Sequence, residues 1–515
     1  MAKKAPRTAS KKKPSATKSS PTKSSPTKPA ATKPAAGAGA LVACWEDDPG
    51  DPKATPALTP IQVPAPNPAA KPLPFKISAK TPPPQVYQPG TPEFLYYANA
   101  AALRRTADFW GGILPSSTSW EVGAVLPVDL DSGEDFNAFY TRGGGGDAPG
   151  LHFFHGAVSG RTYYSGESPD VCCHEMGHAV LDSIRPQLFE AQTIEAAAFH
   201  ESFGDMSGLL SALQVPSFRQ ALLSETGGKL DRSSRWSRLA EQLAAAIRII
   251  QPDAVDPDCL RNGFNSFFYT DPQTLPPSAP ASQISSEPHS FSRVFTAAFV
   301  DSLAGIFAGQ ATQDSNGLVK ASQDAANILI GGILNAPVVP DYYSQVAANI
   351  VQFAEGSPFN GKYRDLLKSS FVRHGILSLQ AATTISQTKP QTLRLAAATV
   401  SRDKQPSDLP KAAINASQYG LKQPMLKVHM ANEPKRLSVT GSSLLLGPLE
   451  PRASQNAAES YTEDLFQRGR VDVGQHADPA TGFLHRHSFK THKIEEENGE
   501  LVLRRISFDC GFDRR

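Results

Sequence analysis

Five residues in one stretch of the chain have the types and spacing to hold a metal ion and use it: His174, Glu175, His178, Glu201 and Asp205. Two histidines four apart on a helix point the same way, so their imidazoles can share one Zn²⁺ while Glu175 between them reaches water at the metal. On a second helix Glu201 can supply a third ligand. Asp205, one turn further on, is placed to accept the free ring N–H of a ligating histidine, fixing its tautomer. Two histidines, one glutamate and one open position describe a water-activating site, whereas a structural zinc site is closed by four protein ligands, usually including cysteine. This predicts one Zn²⁺ per chain on His174, His178 and Glu201, with Glu175 as general base.

The flanking sequence supplies the required helices. Ser168-Pro169 is a start signal, Val180, Leu181 and Ile184 continue an apolar stripe at helical spacing, and Pro186 stops it. A second helical pattern runs from about Ile194 to Leu213 with Glu201 and Asp205 on one face. Short strands are expected at Trp120 to Val128, Asn137 to Thr141, Leu151 to Phe154 and Arg161 to Tyr164. Helices are expected from Pro92, and at Ser292 to Ala308, Leu318 to Leu334, Tyr342 to Ala354 and Tyr363 to Val372.

In these residues, and in three further segments that fall in the same order, the chain resembles the thermolysin-like metallopeptidases over about residues 90 to 380. Asn137-Ala138-Phe139-Tyr140 is similar to the family's edge strand, which implies that Asn137 and Ala138 hold a substrate backbone by strand addition. Cys259-Leu260-Arg261 is similar to the segment whose arginine holds a substrate carbonyl. Pro288-His289-Ser290 is similar to the segment whose histidine stabilises the oxyanion, with Glu287 a candidate to orient it. Phe189 departs from the family's tyrosine at its position. Asp170 matches one calcium ligand of the family, but no acid follows Asp205 until Glu225, so no structural calcium is expected.

The resemblance implies an α+β, zincin-like, two-lobed catalytic domain at residues 85–380, with a short strand-rich half (85–173) and a helical half (174–380). The implied activity is zinc-dependent endopeptidase hydrolysis of a peptide or protein substrate. A metzincin is disfavoured because Ile184 stands where its third histidine belongs. The alternative is a catalytically degenerate zincin-fold binding module whose basic tail attaches it to a polyanion or partner.

Residues 1–40 carry ten Lys or Arg and no acid. Removing those ten from 51 leaves 41 basic against 49 acidic residues, so the net +2 conceals a remainder of about −8. Residues 1–84 therefore read as a long disordered tail, either a solvated spacer or a handle for a polyanion or loading partner. If the tail were an inhibitory pro-segment, Cys44 could block the zinc as a thiolate. Residues 381–515 read as an extension of unknown role ending in a hairpin around Asn498-Gly499. His485, His487 and His492 alternate in that extension as strand positions do. No signal-peptide run follows Met1-Ala2-Lys3-Lys4 and no stretch reads as a membrane span, which predicts a cytoplasmic protein or release by a non-classical route. The five cysteines give no disulfide framework. The oligomeric state is not legible in the sequence.

Overall fold

The computed structural model describes residues 39–50, 58–387, 409–433, 453–481 and 489–511. Order begins earlier in the chain than a tail ending at residue 84 implies. Strands β1 (Leu41–Cys44) and β2 (Ile61–Pro64) pair antiparallel, and Ala43 and Cys44 pack on Phe94 and Ala98 of α1 (Pro92–Ile113). That helix starts where Thr91 caps the N–H of Phe94 ahead of Pro92. The rest of the expected tail, residues 1–38 and 51–57, lies outside the described residues.

A five-stranded mixed sheet follows, built from β3 (Phe75–Ile77), β4 (Leu126–Asp129), β5 (Ala138–Thr141), β6 (Gly150–Phe153) and a strand from far down the chain, β16 (Ser507–Asp509), in the order β16-β5-β6-β4-β3. The hairpin β7 (His155–Val158) and β8 (Arg161–Tyr164) leads into α2 (Pro169–Ile184). Ser168 caps α2 at the N–H of Val171, and the Ser168 hydroxyl donates in turn to Asp48. Asp48 also accepts the backbone N–H groups of Gly50 and Gln242. A segment read as tail thus pins the start of α2.

The short helix α3 (Gln187–Glu190) joins α2 to α4 (Ile194–Ala212), which Thr193 caps. Every residue of α4 is buried, as expected for a helix without a continuous polar face. Helices α5 (Pro216–Thr226) and α6 (Glu241–Ile250) and the short pair β9 (Arg238–Leu239) and β10 (Arg261–Asn262) flank it. The helical half is completed by α7 (Pro288–Ala308), α8 (Ser315–Asn335), α9 (Tyr342–Glu355), α10 (Arg364–Arg373) and α11 (Leu379–Gln387). Contrary to the sequence reading, α7 is long and apolar enough to cross a bilayer, but 83% of its apolar window is buried inside the protein. Its apolarity is that of a core helix.

The extension folds onto this body. A second five-stranded sheet, ordered β11-β12-β15-β14-β13, is formed by β11 (Lys411–Asn415), β12 (Met425–His429), β13 (Val471–Asp472), β14 (His492–Glu497) and β15 (Glu500–Arg505), with α12 (Ser454–Gln467) beside it. The expected hairpin is β14–β15, turning at Asn498 and Gly499, which both take positive φ. After β15 only Ile506 intervenes before β16 joins the first sheet. His492 is buried at the start of β14, and His485 and His487 lie outside the described residues. The architecture is α+β, and the described residues from Ala40 onward form one compact unit.

Candidate metal centre

Helices α2 and α4 approach closely because small residues meet at their crossing. A Cβ on Gly177 would lie 2.6 Å from the Ser207 Oγ, and one on Gly204 would lie 2.6 Å from the His174 ring. These two glycines let His174 and His178 face Glu201 across the helix pair, and nothing in the metal motif itself announces them.

The Nε2 atoms of His174 and His178 lie 3.2 and 3.7 Å from Glu201 Oε2. The Nδ1 of His174 is 3.0 Å from Asp205 Oδ1, and Arg261 holds both oxygens of Asp205, at 2.7 and 3.2 Å. Asp205 accepts the Nδ1–H of His174, so the ring would ligate a metal through Nε2, the atom that faces Glu201. His178 Nδ1 faces His200 Nδ1 at 3.2 Å, which leaves its Nε2 pointing at the same spot. Arg261, expected to hold a substrate carbonyl, is here the ion-pair partner that fixes Asp205. It also borders a cavity with Leu260, Glu287, His289, Arg293 and Cys510.

Charge and burial at this spot fit a cation. His178 Nε2 and both carboxylate oxygens of Glu175 are buried without a hydrogen-bond partner of ordinary geometry. Donor atoms of His174, Glu175 and His178 lie within 4.8 Å of one another. Burial lowers His178 to about 3, so it stays neutral as a ligand must. Burial works against ionisation of Glu201, but His289 and His178 hold its carboxylate well below the usual range. Asp205 is held down to about 2 against its burial, by Arg261 and then His174. Glu175, by contrast, is pushed up to about 8 by burial. Two imidazole nitrogens and an ionised carboxylate around one point form a borderline N,O donor set suited to zinc.

On the far side of Glu201, His289 Nε2 is 3.1 Å from Glu201 Oε2, and its Nδ1 is 2.7 Å from Glu287 Oε1. Glu287 also caps α7 through Ser290 N–H at 2.8 Å. Glu287 thus holds the ring of the histidine two residues after it. Phe189, which offers no hydroxyl, lies under the Arg142 guanidinium at 4.2 Å. Asp182 lies one turn after His178 on α2. It is fully buried and holds Arg142 and the Tyr140 hydroxyl.

Asn137 and Ala138 begin the edge of the cleft, and that edge is already paired. In β16, Ser507, Phe508 and Asp509 lie opposite Thr141, Tyr140 and Phe139 of β5. The backbone N–H of Cys510 donates to the Ala138 carbonyl at 2.8 Å, and His289 Nε2 donates to the Asp509 carbonyl at 2.6 Å. The backbone of Gly511 lies against the Asn137 side chain. The Cys510 thiol, buried and pushed up to about 11 by desolvation and then by Glu175, interacts with both Glu175 and His174. Sequence reading missed this cysteine, because its distance along the chain gives no signal. Cys44, the thiol it did single out, is buried under α1.

The premise for excluding calcium also changes. Asp170 is buried close to Asp47, Asp48 and Glu241, carboxylates from remote segments that interact electrostatically with it or with one another.

No family model matches the chain, and no curated protein matches it.

Proposed function

We propose that this protein is a zinc-dependent endopeptidase with a zincin-like catalytic domain. The observation that carries the reading is the convergence of His174 Nε2, His178 Nε2 and Glu201 on one buried point, with the unpaired carboxylate of Glu175 beside it. Zinc held by those three residues supplies Lewis acidity, polarising a scissile carbonyl and lowering the pKa of attacking water.

The chain's own groups do the rest. Glu175 takes the proton of the attacking water and returns it to the leaving amine, a role suited to a buried carboxylate that stands between the two histidines. His289, oriented by Glu287, donates to the developing oxyanion. Asp205 and Arg261 keep His174 in the ligating tautomer. Asn137 and Ala138 present the edge on which an extended peptide aligns. Direct attack by water requires no covalent intermediate.

The degenerate binding-module reading gains one observation, since the peptide-binding edge is occupied by the protein's own strand. The intact Glu175 and the Glu287–His289 pair favour hydrolysis, because holding a peptide requires neither. Metal analysis with hydrolysis of an unfolded protein substrate tests the reading. Stoichiometric zinc and chelator-sensitive cleavage support it, and cleavage indifferent to metal removal refutes it.

A further inference from the structure

The extension does more than lie against the catalytic body. Strand β16 forms antiparallel pairs with β5, the edge assigned above to substrate, and the Asp509 carbonyl sits on His289, the group assigned to the oxyanion. Side chains anchor it from both sides. Arg470 pairs with the Asp509 carboxylate at 3.1 Å. The Phe508 ring stacks on His200 at 4.1 Å and on His178 at 5.0 Å, and Arg505 covers it at 4.2 Å. The next residue, Cys510, is buried with its backbone N–H on the Ala138 carbonyl and borders the same cavity as Arg261, Glu287 and His289, where its thiol interacts with His174 and Glu175.

We propose that Cys510 is the fourth ligand of the metal centre, and that Ser507–Cys510 is a built-in pseudosubstrate that keeps the folded chain latent. This rests on the zinc reading of His174, His178 and Glu201. A thiolate is a strong ligand for zinc, and a site closed by four protein ligands has no position for water. Peptide strand and thiol together exclude both substrate and nucleophile. On release the metal–sulfur bond breaks, the thiolate takes one proton from solvent, and the coordination position and the β5 edge open together, with no oxidation or reduction. The second sheet then has a role, since β15 passes through Ile506 directly into β16 and so delivers the blocking strand.

The test uses the full chain loaded with cobalt(II) in place of zinc. The wild type should show a thiolate-to-cobalt charge-transfer band. Cys510→Ser should lose that band while keeping one cobalt per chain, and the zinc form of this variant should cleave an unfolded protein substrate about tenfold faster or more, since a blocked population suppresses apparent activity in proportion. A wild type that holds one cobalt without the band, or a variant no faster than wild type, overturns the proposal and leaves the zinc reading standing. Failure of both forms to hold cobalt overturns the two together. Alkylation of the native chain gives a readout that needs no variant. Cys510 should resist labelling with metal present and become labelled when a chelator is added, and equal labelling in both states contradicts coordination.

Discussion

The two walls of the cleft are held by different physics. The wall of α2 and α4 is a fully buried helix pair at a glycine crossing, with each ligand fixed by a further group: His174 by Asp205 and Arg261, His178 by His200. The wall of β5 and β16 is one short strand pairing, three side-chain anchors and a thiol. The first wall cannot move without opening the core, whereas on the latency proposal the second would detach, breaking a few hydrogen bonds and exposing the buried segment from Ile506 to Cys510. A fixed helical side and a detachable strand side are what the proposed latency would require.

The contrast can be broken most sharply at Glu175. In a Cys510→Ala background, Glu175→Gln should retain zinc while hydrolysis falls by about 10³ or more, because the general base is lost and the ligands are not. His289→Ala in the same background should lower turnover by about 10², the effect of one oxyanion donor. Steady-state assays with metal analysis read both.

The crossing itself is tested by Gly204→Ala. The added methyl meets the His174 ring at 2.6 Å, so overpacking should cost about 1 to 3 kcal/mol in stability and weaken metal retention. Denaturant unfolding and zinc content check this. An equivalent change on the other wall, Arg470→Ala, removes the partner of the Asp509 carboxylate. It should raise activity several-fold towards that of Cys510→Ala while the zinc content stays at one, which sharpens the distinction between a fixed and a removable wall.

The smallest expected effect lies behind the metal helix. Burial and then Asp48 push Glu241 up to about 7, and burial followed by neighbouring carboxylates holds Asp47 and Asp170 well above their ordinary value. A carboxyl whose folded pKa is raised keeps its proton while the unfolded chain has lost it, so its stabilising contribution is complete below about 4.5 and is lost as pH rises to about 7. Glu241→Gln should therefore remove this part of the pH dependence, so that the melting temperature of the variant gains on that of the wild type as pH rises across the window. An unchanged difference between the two across the window contradicts the raised carboxyl at Glu241.

The helical half was legible because its signals are local. Ser168 and Pro186 mark the ends of α2, and the spacing of His174, His178, Glu201 and Asp205 requires only that two neighbouring helices pack. In the strand-rich half the runs at Asn137 to Thr141, Leu151 to Phe154 and Arg161 to Tyr164 were legible as short strands between glycine-rich turns, although the one expected over Trp120 to Val128 forms only at Leu126–Asp129, and the late hairpin was legible through Asn498-Gly499. What could not be read were pairings between distant segments. Proline-rich composition around β1 to β3 suggests disorder, yet Asp48 binds the cap of α2, and Phe75 and Ile77 enter the sheet beside β4. Truncation at residue 84, harmless on the tail reading, should therefore destabilise the protein. Cys510 stood unnoticed for the same reason: its partners lie more than three hundred residues earlier in the chain, and only the folded structure brings them together.

The most direct test of the account compares Cys510→Ala with Cys510→Ala/Glu175→Gln, measuring zinc content and hydrolysis of an unfolded protein substrate on the same preparations. The account predicts one zinc per chain in both and chelator-sensitive cleavage in the first alone. Equal cleavage by the two, or stable folded protein that takes up no metal in either, would contradict it.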